Sequence, residues 1–170
     1  MAVTINASTT SGLVMTSDLS GQLQFANNGV NLPMGGVAPA FSAYPNATLS
    51  ITGTTFTKVL LQVEEFDTNN NFASSRFTPT VAGYYQISGS IQVFGSVAGA
   101  FSMIYKNGVN YKIGNFIGIV AQNPVSGVSA LVYLNGSTDY IELYAYSETT
   151  ATINSASIAT WFTGSLVRGA

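Results

Sequence analysis

The chain has 170 residues, of which 7% are charged and 46% are hydrophobic, with a formal net charge of −2. Its five cations (Lys58, Arg76, Lys106, Lys112 and Arg168) are scattered, so the phosphate-neutralising cluster that a nucleic-acid partner demands is missing. His and Cys are both absent, which removes the usual general base, the Ser-His-Asp arrangement, thiol chemistry and the common zinc sites.

Residues 1–36 are polar and punctuated by glycine. Ser11-Gly12-Leu13-Val14 is echoed weakly by Ser20-Gly21-Gln22-Leu23. Gln22-Leu23-Gln24-Phe25 alternates like a strand, and Asn27-Asn28-Gly29 reads as a turn. The segment is too small to bury a core of its own. It reads as an extended arm, with Leu13, Val14, Leu23 and Phe25 as docking residues, because a free tail has little use for apolar side chains. The opening Met1-Ala2-Val3-Thr4-Ile5-Asn6 lacks a basic stretch followed by an apolar one, so no signal peptide is expected. No apolar run reaches the roughly 18 residues of a membrane span.

From Pro33 and Gly35-Gly36 onward, strands and turns alternate, and residues 37–170 read as one β domain. Tyr85, Ile87, Gly89, Ile91 and Val93 share one face of a strand, and Gln86, Ser88, Ser90 and Gln92 the other. Phe101, Met103 and Tyr105 alternate into Lys106-Asn107-Gly108, a tight-turn signal. Ile113 to Val120 reads as a further strand. Val128, Ala130, Val132 and Leu134 alternate up to a turn at Asn135-Gly136. Between Tyr140 and Tyr146, Ile141, Leu143 and Ala145 lie on one face, with Tyr140, Glu142, Tyr144 and Tyr146 on the other. Trp161 to Val167 forms the last strand. Many short strands without a helical stripe imply a sandwich or barrel.

Low charge has a second consequence. Exposed sheet edges and faces are usually guarded by charge, and interface cores are poor in charge and rich in aromatics. Ten Phe, nine Tyr and one Trp fit a chain that buries surface between subunits. Tyr140, Tyr144, Tyr146 and Phe162 are the expected residues of the interface between subunits. The alternative for the tyrosines is a strand covered on both faces within one chain.

The order of elements over residues 38–167 resembles the globular head of complement component one-q, a relative of the tumour necrosis factor jelly roll. Pro39 to Tyr44 is similar to the family's first strand, and Phe56 to Leu60 to its next. Phe77-Thr78-Pro79-Thr80-Val81-Ala82-Gly83-Tyr84-Tyr85 resembles its F-x-P-x-x-x-G-x-Y element. Tyr105-Lys106-Asn107-Gly108, Leu131 to Ile141, and Phe162-Thr163-Gly164-Ser165-Leu166 resemble three later ones. Ser137 and Thr138 depart from the pattern, standing between Gly136 and Asp139 where the family has Gly-Asp. The resemblance implies an all-β jelly-roll sandwich of ten strands and a threefold homotrimer. Some family members bind calcium near the axis. Asp67 and Asp139 are the loop-like candidates here, and each reads rather as a turn-stabilising Asp. No metal or cofactor is expected.

A second resemblance covers Thr10 to Leu23, which is similar to segments of tail-fibre and other virion proteins of tailed bacteriophages. It implies a structural protein of the virion, made in the host cytoplasm, whose arm meets other virion proteins. Thirty-odd extended residues reach about 110 Å at most, which suits a knob near the particle surface as head decoration or a short tail appendage. A receptor-binding module for a host-surface glycan or protein is the alternative. An enzyme ranks last. Glu64, Glu65 and Asp67 are close in sequence, but neighbours on a strand point to opposite faces.

Overall fold

The computed structural model describes residues 25–27, 30–32, 38–95, 97–118 and 122–170. The contacts divide the chain into two units, Met1–Ala38 and Pro39–Ala170. The described part of the first unit is a hairpin. β1 (Phe25–Asn27) pairs antiparallel with β2 (Val30–Leu32), with Phe25 opposite Leu32. Of the strand expected over Gln22–Phe25, Phe25 opens β1, and Gln22, Leu23 and Gln24 lie outside the described residues. The turn expected at Asn27-Asn28-Gly29 falls on Asn28 and Gly29, which lie outside the described residues.

The second unit is all-β, with no helix among its described residues. Its strands are β3 (Ala40–Tyr44), β4 (Leu49–Ile51), β5 (Thr57–Lys58), β6 (Val63–Asp67), β7 (Phe72–Ala73), β8 (Arg76–Phe77), β9 (Ala82–Phe94), β10 (Ala100–Lys106), β11 (Val109–Ile113), β12 (Val125–Asn135), β13 (Ile141–Ser147), β14 (Ala151–Ile153) and β15 (Trp161–Gly169). The first sheet runs β4-β14-β9-β15-β3-β6, with β12 on the free side of β9. The second runs β11-β10-β13-β8-β7, with β5 also on β13.

The two-residue alternation decides which side chains enter the space between the sheets. Tyr85, Ile87, Ile91 and Val93 of β9, Val132 and Leu134 of β12, and Phe41 of β3 are fully buried there. They meet Phe77, Ile104, Ile141, Leu143 and Ala145 of the second sheet. Phe41 centres an aromatic cluster, 4.4 Å from Phe77, 4.9 Å from Phe72 and 5.2 Å from Phe162 between ring centroids. Gly164 is required beside this cluster, since a Cβ there would stand 2.5 Å from Ile87 Cδ1 and 2.9 Å from Phe41 Cε1. Tyr85 carries a polar tip into the core and satisfies it by donating to the Val81 carbonyl at 2.6 Å. Burial pushes its hydroxyl pKa up to about 12.

Several elements differ from their sequence expectation. Of the strand expected over Ile113–Val120, Ile113 ends β11, Ile117 keeps a single bridge to Ala100, and Ile119 and Val120 lie outside the described residues. The strand β11 starts at Val109 because Asn107 (φ 54°) and Gly108 (φ 77°) make a two-residue turn that returns the chain at once. Positive φ at both central residues is what such a hairpin needs. The stretch Phe56–Leu60 keeps only two residues in strand. Around the Ser137-Thr138 insertion, the Asn135 side-chain oxygen accepts from the amides of Ser137, Thr138 and Asp139 at 2.9–3.0 Å and so folds the longer loop.

Candidate functional site

Two broad sheet faces point away from the core, and the sequence dresses them differently. On the second sheet, Phe101, Met103 and Tyr105 of β10 stand opposite Tyr146, Tyr144 and Glu142 of β13. This face builds a layer of its own. Tyr105 stacks on Tyr144 at 3.7 Å and Phe101 on Tyr146 at 4.9 Å, while Phe56 closes over Tyr146 at 5.1 Å. Met103 and Tyr105 point away from the intersheet core, yet they are 1% and 7% exposed. Burial raises the hydroxyl pKa of both Tyr105 and Tyr144, and the Glu142 charge adds to the rise at Tyr144.

Glu142 is buried at the end of this layer and is held by two cations. Its Oε1 accepts from Lys58 Nζ at 2.7 Å and from Arg76 Nε at 2.9 Å. The Arg76 guanidinium lies 3.7 Å above the Tyr140 ring centroid, a distance at which the cation is attracted by the ring face. Tyr140, Tyr144 and Tyr146 are thus half-buried with partners inside the chain. A strand covered on both faces describes β13 better than one awaiting a partner. Phe162 requires a correction. It has no exposed surface and lies in the intersheet core against Phe41, so it cannot reach another subunit.

On the first sheet, the outward side chains of β9, β12 and β15 form a nearly uncharged field. Tyr84 lies opposite Tyr133, Gln86 opposite Leu131, and Ser88 opposite both Ser129 and Thr163. The middle of the field is polar and self-bonded. Gln86 Nε2 donates to Ser129 Oγ at 2.8 Å, and Ser88 Oγ lies 2.9 Å from Ser129 Oγ. One end is apolar, with Tyr84, Leu131 and Tyr133 exposed by 44%, 54% and 42%. These three residues were not among the expected site residues. Their signal was present, since Leu131 and Tyr133 alternate against the core residues Val132 and Leu134.

Of the arm residues, Phe25 opens β1, and Leu13, Val14 and Leu23 lie outside the described residues. Asp67 accepts from the amides of Phe72 at 2.7 Å and Asn69 at 3.3 Å. Asp139 accepts from Asn107 Nδ2 at 2.7 Å and from the Asn135 amide at 3.1 Å, and pairs with Lys106 at 3.0 Å. The Asn107 bond, foremost, holds the Asp139 carboxyl below its ordinary pKa. Both carboxylates serve turns, as the sequence suggested. Among the described residues no cluster of three metal-ligating side chains occurs.

No protein-family model matches the chain, and no curated protein matches it. Solved structures do. The globular domain of zebrafish complement 1qA protein is 17% identical, with a TM-score of 0.59 over 78% of this chain and 99% of that one. Eiger TNF from S. frugiperda is 7% identical, with a TM-score of 0.63 over 78% and 94%. Murine APRIL is 10% identical, with a TM-score of 0.62 over 76% and 99%. At such identities the likeness is one of fold. The chain has the jelly-roll fold of tumour necrosis factor and complement one-q domains.

Proposed function

We propose that the chain is a non-enzymatic structural protein of a tailed-bacteriophage particle. Three copies of the knob associate, and residues 1–36 anchor them to other virion proteins. The observation that carries the trimer is the outer face of the first sheet, where Tyr84, Leu131 and Tyr133 are exposed side by side, with Arg168 of β15 opposite Tyr84 at the rim. A lone subunit would offer this flat apolar end to water, whereas a self-complementary assembly removes it. The interface therefore moves from the Tyr140–Tyr146 face to this one. The virion assignment draws on the arm's resemblance to phage tail-fibre and virion segments. The short reach of the arm favours head decoration or a short tail appendage over a long fibre. A non-enzymatic role is supported by the lack of His and Cys. The engagement of Asp67, Asp139 and Glu142 in turns and ion pairs supports it too.

A chain beginning at Met34 tests the two-part reading. It is expected to trimerise, because the knob holds its own interface, and to fail to join particles. If it joins particles as well as the full chain, the arm is not the anchor. If it is monomeric, the arm belongs to the trimer.

A second reading, a module that binds a glycan on the host surface, is favoured by one observation. The knob carries a polar concavity of about 470 Å³ built largely from loops, where binding functions concentrate on rigid scaffolds.

A further inference from the structure

That concavity is lined by Lys58, Asn70, Ser74, Arg76, Thr78 and Thr80, among others. It gathers two of the five cations of a chain whose net charge is −2. Both cations share one carboxylate, Glu142, which is only 2% exposed. The local balance is two positive charges against one negative, an excess of one. The nearest other carboxylate in sequence, Asp67, is turned to the amides of Asn69 and Phe72.

Arg76 is held ready rather than consumed. Its Nε is on Glu142 and its plane lies over Tyr140, yet the side chain is 42% exposed. Its terminal Nη groups donate to no acceptor among the described residues. A guanidinium fixed at one edge and one face presents its remaining edge as a fork that matches a carboxylate. The wall beside it is also rigid. Ser74 (φ 52°) and Ser75 (φ 57°) both adopt the left-handed region in the two-residue turn between β7 and β8. Positive φ at both central residues is what a two-residue hairpin turn needs, as at Asn107-Gly108. Here Ser75 Oγ accepts from the Leu61 amide at 2.7 Å, and Lys58 Nζ donates to the Ser74 carbonyl at 2.8 Å. The rest of the wall is neutral, with the Asn70 amide and the Ser74, Thr78 and Thr80 hydroxyls.

We propose that this concavity binds a carboxylated sugar, a uronic or sialic acid residue of a surface glycan. A monoanion matches the single excess positive charge. A polyhydroxylated body matches the ring of hydroxyl and amide side chains, and the volume suits one sugar residue. The proposal deepens the glycan-binding reading and rests on it. It does not depend on virion docking.

The test is ligand-observed NMR on the full chain. The probes are methyl glucuronide, methyl galacturonide and the methyl glycoside of N-acetylneuraminic acid, compared with methyl glucoside and inorganic phosphate. Arg76→Gln removes the fork but also a partner of buried Glu142, so Thr80→Glu is measured beside it. Thr80 is exposed, and a carboxylate there repels the ligand without entering the core. At least one acidic sugar is expected to bind, with its affinity lowered at least tenfold by either substitution and lowered also by added salt. Methyl glucoside is expected to bind at least tenfold more weakly. Binding of neutral sugars equal to that of acidic ones, or insensitivity to Thr80→Glu, overturns this site and leaves the glycan reading standing. Binding of phosphate without any sugar acid overturns the saccharide assignment. Binding of no sugar by any form overturns both.

Discussion

Gly114 and Gly127 meet backbone to backbone. The amide following Gly114, that of Asn115, donates to the Gly127 carbonyl at 3.1 Å, and a Cβ on Gly114 would stand 2.3 Å from that same oxygen. The contact joins the end of the second sheet to β12 of the first. Asn115 Oδ1 strengthens it by accepting from the Gly127 amide at 2.7 Å. Gly114→Ala is therefore expected to cost about 1–3 kcal/mol, the usual penalty for forcing atoms into a filled site. Gly118, where an added Cβ meets nothing within 4 Å, is the control. Gly118→Ala should change stability by less than about 1 kcal/mol. Equal effects in urea unfolding would show that the sheets are not joined this closely.

The long β9 strand separates core from surface residue by residue. Ile87 and Ile91 are fully buried, and Gln86 is exposed. Ile87→Ala and Ile91→Ala should each cost about 2–5 kcal/mol through lost burial and the cavity left behind. Gln86→Ala forfeits an exposed hydrogen bond to Ser129 and a long one to the Ile87 carbonyl and should cost at most about 1 kcal/mol. Denaturant midpoints for the three variants check the face assignment.

Stability should fall in alkali between about pH 10 and pH 12. Tyr85 titrates at about 12 in the folded chain because burial opposes the phenolate, against 10.0 when unperturbed. The folded state then holds a proton that the unfolded state has lost. Its stabilisation is complete below pH 10 and is lost as the pH rises through 12. Tyr105 and Tyr144 are shifted the same way, so Tyr85→Phe should flatten part of the decline. Unfolding free energy measured from pH 8 to pH 12 for both proteins tests the sign. A parallel decline in Tyr85→Phe would assign the loss elsewhere.

The knob is expected to scatter light as a trimer at low and at high salt, since an apolar interface is little screened. Leu131→Glu places a charge on the exposed end of the first-sheet face and should give a folded monomer. Tyr146→Ser, on the opposite sheet, should lose the ring stack on Phe101 and some stability while leaving the mass at that of a trimer. The reverse outcome would return the interface to the Tyr140–Tyr146 face.

The sequence by itself determined the all-β class, the position of most strands and the inward set on β9, β12 and β13. Those features follow from a period of two and from local turn chemistry, as at Asn107-Gly108. It also identified Asp67 and Asp139 as turn residues, because Asp67 bonds the amides of Asn69 and Phe72 and Asp139 that of Asn135, all within a few positions, whereas the Asp139 bonds to Asn107 and Lys106 reach across to another turn. The burial of the tyrosine face was decided only by tertiary structure. Alternation shows that Tyr144 and Tyr146 share a side, but what covers that side depends on register with distant chain. Phe101, Tyr105 and Phe56 are brought there by pairing that spans about forty to ninety residues, a relationship fixed by the hydrogen-bond ladder and not by local spacing. The same reason hid the Lys58–Glu142–Arg76 group, whose members come from β5, β13 and β8, and put Phe162 in the core instead of on an interface. A strand apolar on both faces does not announce which face meets the other sheet. That is settled when the two sheets close over Phe41, Ile87 and Leu143 and one side of each strand loses access to water.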